Sequence, residues 1–109
     1  MSELTSHTRA CPLAAEVIAT LQAHEPELRD AGIKRLSLFG LIARGDTDIE
    51  SDVELAVVFD PDAHIGLLGL SRLERRIGGL IGYKVDLVPE PVEAAHLRAS
   101  IERDRKLAF

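Results

Sequence analysis

Residues 51–59, Ser-Asp-Val-Glu-Leu-Ala-Val-Val-Phe, alternate in a way that suits an extended strand with two unlike faces. Side chains on a strand point to opposite faces in turn. Val53, Leu55, Val57 and Phe59 therefore share one face, and Asp52 and Glu54 share the other. The apolar set must meet a core, which leaves the two carboxylates together on the far side. Upstream, Leu36-Ser37-Leu38-Phe39-Gly40 reads as a strand running into a glycine turn. Downstream, Lys84-Val85-Asp86-Leu87-Val88 repeats the pattern, with Val85 and Leu87 on the buried parity and Asp86 opposite. Three acids from two strands can thus converge.

Helical spacing fills the rest of the chain. Leu13, Val17 and Leu21 recur over residues 13–24, with Pro12 suited to the first turn, fraying near Pro26 and a stop at Gly32. Ile33 to Phe39 forms the first strand, residues 41–45 a short helical turn, 46–51 an acidic exposed loop and 52–59 the second strand. Asp60-Pro61-Asp62 marks a turn. Ile65, Leu68, Leu73, Ile77 and Leu80 predict a helix closed by Gly78-Gly79 or Gly82. The third strand, 83–88, stops at Pro89. Pro91 opens a last helix that carries Leu97, Ile101 and Leu107 on one face and Arg98, Glu102, Arg103 and Arg105 in water. The expected fold class is α/β (α+β): a small mixed three-stranded sheet, helices banked on one side, and the opposite face open for the acids.

At 109 residues the chain is one domain, residues 12–109 behind a flexible N-terminus of residues 1–11, small enough to favour a partner or self-association. A single cysteine, Cys11, rules out an internal disulfide and has no evident base beside it. No signal-peptide order or membrane-spanning run is present, so a cytoplasmic location is expected. A net charge of −5 with 4% aromatics argues against direct binding of DNA or of single-stranded bases.

These residues resemble the minimal nucleotidyltransferases of the DNA polymerase beta superfamily. That family carries a strand ending in Phe-Gly-Ser, then about ten residues often containing Ala-Arg-Gly, then Ser-Asp-hydrophobic-Asp or Glu, with a third Asp on a later strand. Here Phe39-Gly40, Ala43-Arg44-Gly45, Ser51-Asp52-Val53-Glu54 and Asp86 match in order and spacing, from about residue 12 onward. The resemblance implies Mg²⁺ and ATP or another nucleoside triphosphate. Asp52 would bridge two ions, Glu54 would help hold them, and Asp86 would serve the ion near the attacking hydroxyl and accept its proton. Gly40, the backbone of Leu41, and Arg44 would meet the phosphates, with Arg44 alternatively fixing the loop. Leu41 departs from the family's Ser. Loss of a hydrogen bond to a charged group, roughly 1.5 to 3 kcal/mol, weakens binding about 10- to 100-fold.

The family further implies an antitoxin that transfers AMP from ATP to a hydroxyl of a helical HEPN toxin. Two other readings stand beside it. A degraded relative would neutralise such a partner by occlusion, and an adenylyltransferase for a small molecule would need more substrate-binding structure. Other features carry less. Asp46, Asp48 and Glu50 fail as a calcium loop, because Ser51 and Val57 stand where glycine and glutamate are required. Gly78 to Gly82 leads into a strand rather than opening a helix, so it is not a dinucleotide fingerprint. Arg72, Arg75 and Arg76 read as a solvated helix face, and His7, His24, His64 and His96 lack metal-ligand spacing.

Overall fold

The computed structural model describes residues 11–46 and 51–109. His7, Asp48, Glu50 and all of the expected flexible N-terminus except Cys11 lie outside the described residues. The elements are α1 (Ala14–Ala23), α2 (Glu25–Asp30), β1 (Ile33–Phe39), α3 (Gly40–Ala43), β2 (Val53–Phe59), α4 (Leu67–Ile81), β3 (Val85–Pro89), α5 (Ala95–Asp104) and β4 (Lys106–Leu107). The strands form one mixed sheet in the order β3-β2-β1-β4. β1 pairs antiparallel with β2 and with β4, while β2 and β3 run parallel.

The strand parity read from sequence is the parity observed. Val53, Leu55 and Val57 of β2 are fully buried, and join Leu36 and Leu38 of β1, Val85 and Leu87 of β3, Val17 and Leu21 of α1, Leu28 of α2 and Leu73 and Ile77 of α4 in the main core. Cys11 belongs to this core too, with its Sγ 3.5 Å from the Asp46 carbonyl oxygen.

Four features differ from the sequence expectation. Pro26 opens a second short helix instead of fraying the first, because proline is tolerated in a first turn where its missing N–H has no intrahelical partner. The last helix begins at Ala95 rather than at Pro91, and it ends at Asp104. Leu107 is consequently not on its apolar face. The backbone extends at Arg105, and Lys106–Leu107 becomes a fourth strand on the outer edge of β1, where the Ala108 N–H donates to the Leu36 oxygen at 2.8 Å and the Leu36 N–H to the Phe109 oxygen at 3.1 Å. An otherwise open edge is thereby paired. Finally, the face opposite α1 and α4 is not left bare. Ile101 and Leu97 of α5 pack there on Phe39 and Ala56, because Ala56, two residues beyond Glu54 on the same parity, is small enough to admit a helix.

One buried polar group needs explanation. Ser37 is fully buried within β1, and its hydroxyl accepts from Arg105 at 3.2 Å. The same guanidinium grips Glu90 through both carboxylate oxygens, at 3.0 and 2.6 Å, so one fork joins the centre of the sheet to the ends of β3 and α5.

Because Leu55 is fully buried in the central strand, Leu55→Ala should cost roughly 2–5 kcal/mol. Urea unfolding should show this as a lower midpoint with an unchanged slope.

Candidate functional site

The acids lie on the face of the sheet against which α5 packs. Glu54 and Asp86 are direct partners in the parallel β2–β3 register, and neighbouring strands lie about 4.8 Å apart. Asp52 immediately precedes β2 on the same parity. Among the described residues, no set of three His, Cys, Asp or Glu side chains is gathered into metal-ligand geometry. The acids share a face and a field without closing on one point. Lys84 stands beside them, its Nζ 3.9 Å from Asp52 Oδ2, in an exposed pair that contributes little stability.

Crowding shows in the titration of these groups. Burial first, and then the charges of Asp86 and Asp52, push the Glu54 carboxyl above its usual range, while Arg44 opposes the rise. Burial also raises Asp86, followed by the negative charges of Glu74 and Asp52. A donor set made wholly of carboxylate oxygens fits Mg²⁺, which takes hard oxygen ligands, and a cation would relieve this mutual repulsion.

Gly40 is the pivot between the strand and the turn. Its φ is +83°, a region L-residues avoid, and a Cβ there would overlap the Glu54 carboxylate. Glycine is therefore favoured by the backbone conformation, and any side chain there would displace the Glu54 carboxylate. Leu41, next in the α3 turn, is partly exposed, whereas Ile42 and Ala43 are buried. The described hydrogen bonds of this turn run from the N–H groups of Arg44, Gly45 and Asp46 back to Gly40, Ile42 and Leu41 carbonyls, which closes its C-terminal side.

Arg44 serves the turn. Its Nε lies 3.2 Å from Asp104 Oδ2, a carboxylate whose side chain is only 2% exposed. Arg103 holds the same group through Nε and Nη2, at 3.1 and 3.3 Å. The Arg103 hydrogen bond, with the nearby Arg44 charge adding to it, keeps Asp104 below the ordinary carboxylate range. Asp104 thus links α3 to α5. Nothing in Arg103-Asp104-Arg105 distinguishes this acid from a wet helix end, so sequence reasoning missed it. It also missed Glu74, whose Oε2 accepts from the Leu87 N–H at 2.9 Å. A cavity of about 330 Å³ between α4 and β3 is lined by Glu74, Arg75, Gly78, Tyr83, Val85 and Lys84 among others, and Lys84 also stands beside Asp52.

A family model described as a nucleotidyltransferase domain matches residues 21–108. The chain is 36% identical over 74 residues to the protein adenylyltransferase MntA of Thermococcus cleftensis, a match spanning 67% of this chain and 73% of that one. A solved structure of a candidate minimal nucleotidyltransferase is 33% identical, with a TM-score of 0.62 over 84% of this chain and 88% of the other. The fold is shared as well with a chain from the complex of a tri-AMPylated HEPN toxin of Shewanella oneidensis and its MNT antitoxin, at a TM-score of 0.61 and 17% identity over 84% and 71% of the two chains.

The titration shifts set opposite pH trends. Glu54 and Asp86 bind protons more tightly in the fold than in the unfolded chain, so they subtract stability as pH rises through the carboxylate range. Asp104 adds stability above the unfolded carboxylate value, and that contribution is lost as pH falls through its lowered one. Without divalent cations, Glu54→Gln should therefore melt higher than the parent at neutral pH, with the gain shrinking toward about pH 4. Equal melting at neutral pH would refute the crowding account. Gly40→Ala should cost about 1–2 kcal/mol for the left-handed backbone plus the displacement of Glu54. Adding Glu54→Ala should recover the second part only, as read from a double-mutant cycle of urea midpoints.

Proposed function

The chain belongs to the nucleotidyltransferase domain family, and we propose that it transfers AMP from ATP to a hydroxyl of a partner protein, acting as the antitoxin of a HEPN-type toxin. The observation that carries this reading is the direct pairing of Glu54 with Asp86 across parallel strands, with Asp52 on the same face. The Thermococcus relative is named a protein adenylyltransferase, and a complex of the same fold pairs an MNT antitoxin with an AMPylated toxin.

Each residue has a role in that transfer. The hydroxyl oxygen of the acceptor forms a bond to the α-phosphorus of ATP as the bond to pyrophosphate breaks. Asp52, Glu54 and Asp86 would hold Mg²⁺, which when bound supplies neutralising charge to the phosphate oxygens. Asp86 takes the hydroxyl proton on its carboxylate. The Gly40–Leu41 backbone receives the outer phosphates without side-chain obstruction at Gly40. Arg44, held by Asp104, keeps this turn against α5 and offsets charge at Glu54.

Leu41 favours a second reading, in which the domain neutralises its partner by occlusion. The isobutyl group brings bulk and no hydroxyl donor to the phosphate turn. The two readings part on experiment. Mg²⁺ or Mn²⁺ with a nonhydrolysable ATP analogue should raise the melting temperature, since a ligand bound only by the native state stabilises it, and Asp52→Asn should abolish the shift. A shift that survives Asp52→Asn would place the ligand elsewhere. Labelled ATP, Mg²⁺ and a co-encoded helical toxin should then yield labelled toxin. If Leu41 attenuates an otherwise intact enzyme, Leu41→Ser should raise that transfer by at least about tenfold, the equivalent of one charge-assisted hydrogen bond. No nucleotide binding or transfer in either protein with the toxin present would leave occlusion as the account.

A further inference from the structure

We infer that the groove between α4 and β3 is the docking site for the acceptor, and that it takes a protein segment with an acidic side chain beside the acceptor hydroxyl. The inference rests on the reading of the acid face as an AMP-transfer site.

Strand order fixes the side from which an acceptor can come. Phe39, Glu54 and Asp86 stand in one row across β1, β2 and β3, and Gly40 follows Phe39 directly. With the outer phosphates at the Gly40 turn, pyrophosphate leaves toward β1. An in-line displacement brings the entering oxygen from the opposite side of the phosphorus, which is over β3. This strand is the edge of the sheet. There the cavity of about 330 Å³ opens, with Lys84 and Val85, the two residues before Asp86, in its lining.

The groove is opposite in sign to the acid face. Arg75, Lys84 and Glu74 are its charged lining residues, and Glu74 is occupied by the Leu87 N–H at 2.9 Å. Arg75 is exposed and has no ion pair or hydrogen bond among the described residues, unlike its neighbour Arg76, which holds Glu27 at 2.8 Å. Lys84 is 82% exposed, with its Nζ 3.9 Å from Asp52. In a chain of net charge −5, an incoming segment thus passes from two cations to three acids. A hydroxyl beside a carboxylate fits that change of sign in one direction only. The carboxylate stays with Arg75 and Lys84, and the hydroxyl goes on to Asp86. A basic residue in the same place would meet Arg75 as a like charge. Complementarity of this kind sets specificity and register more than raw affinity.

The test uses the full chain with labelled ATP, Mg²⁺ and synthetic peptides in which a central serine, threonine or tyrosine is flanked by Asp, Ala or Lys. Asp-flanked peptides should be labelled with a kcat/KM about tenfold above the Ala-flanked ones, the equivalent of one charge-assisted hydrogen bond. Lys-flanked peptides should fall below both. The preference should lie in KM for the peptide, vanish in Arg75→Ala and reverse in Arg75→Glu, both at an exposed position outside the core. Docking is read separately, with a nonhydrolysable ATP analogue present, from NMR shifts of the Tyr83 and Val85 amides. Equal labelling with all three flanks, or an Asp preference that persists in Arg75→Glu, would overturn the inference. If no peptide is labelled, the amide shifts decide. Shifts produced by Asp-flanked peptides in the parent and lost in Arg75→Glu would uphold the docking site, and their absence from the parent would overturn it. Failure to label the helical toxin as well would overturn the proposed activity on its own account.

Discussion

Everything at the acid face depends on one geometric constraint, the alternation of side chains along β2. This strand lies between β1 and β3, so it is paired on both sides and cannot rotate. Burying Val53, Leu55 and Val57 completely leaves Asp52 and Glu54 only one direction to face. A slip of one residue would exchange the two sets and place carboxylates in the core. The same alternation puts Ala56 under α5 and sets Glu54 against Gly40. Core packing and site chemistry are two faces of one strand.

The legible part of the fold follows from this constraint. Strand parity, the glycine turn and the alignment of Asp86 with the acid pair could be read because each depends on the local period of the backbone. Four-strand topology could not be read. Lys106-Leu107 has no alternation long enough to register, and it becomes a strand only because β1 offers an open edge. The burial of Asp104 and the reach of Glu74 were equally hidden, since each depends on what a distant element presents. Arg44 was legible as a functional residue, with two roles left open. Its contact with Asp104 gives physical content to the loop-fixing one.

The electrostatics divide the molecule into a settled region and a tense one. At Asp104, two arginines meet one nearly enclosed carboxylate and lower its pKa. At Glu54 and Asp86, acids face each other with Arg44 and Lys84 as opposing charges, and both titrate upward. Such local cost is common where stability and activity compete. The settled group lies next to the tense one, linked to it through Arg44, so the turn is held firm where the acids repel.

The parallel pairing of β2 with β3 has a kinetic meaning. Asp52 and Glu54 are near neighbours in the chain, but Asp86 reaches them only after the 60–84 segment, with α4 in it, has crossed the sheet. Closing such a connection is entropically costly and non-local contacts form slowly. A partly folded chain therefore carries an incomplete acid set. Whatever the completed face recognises, recognition certifies that the whole domain has folded.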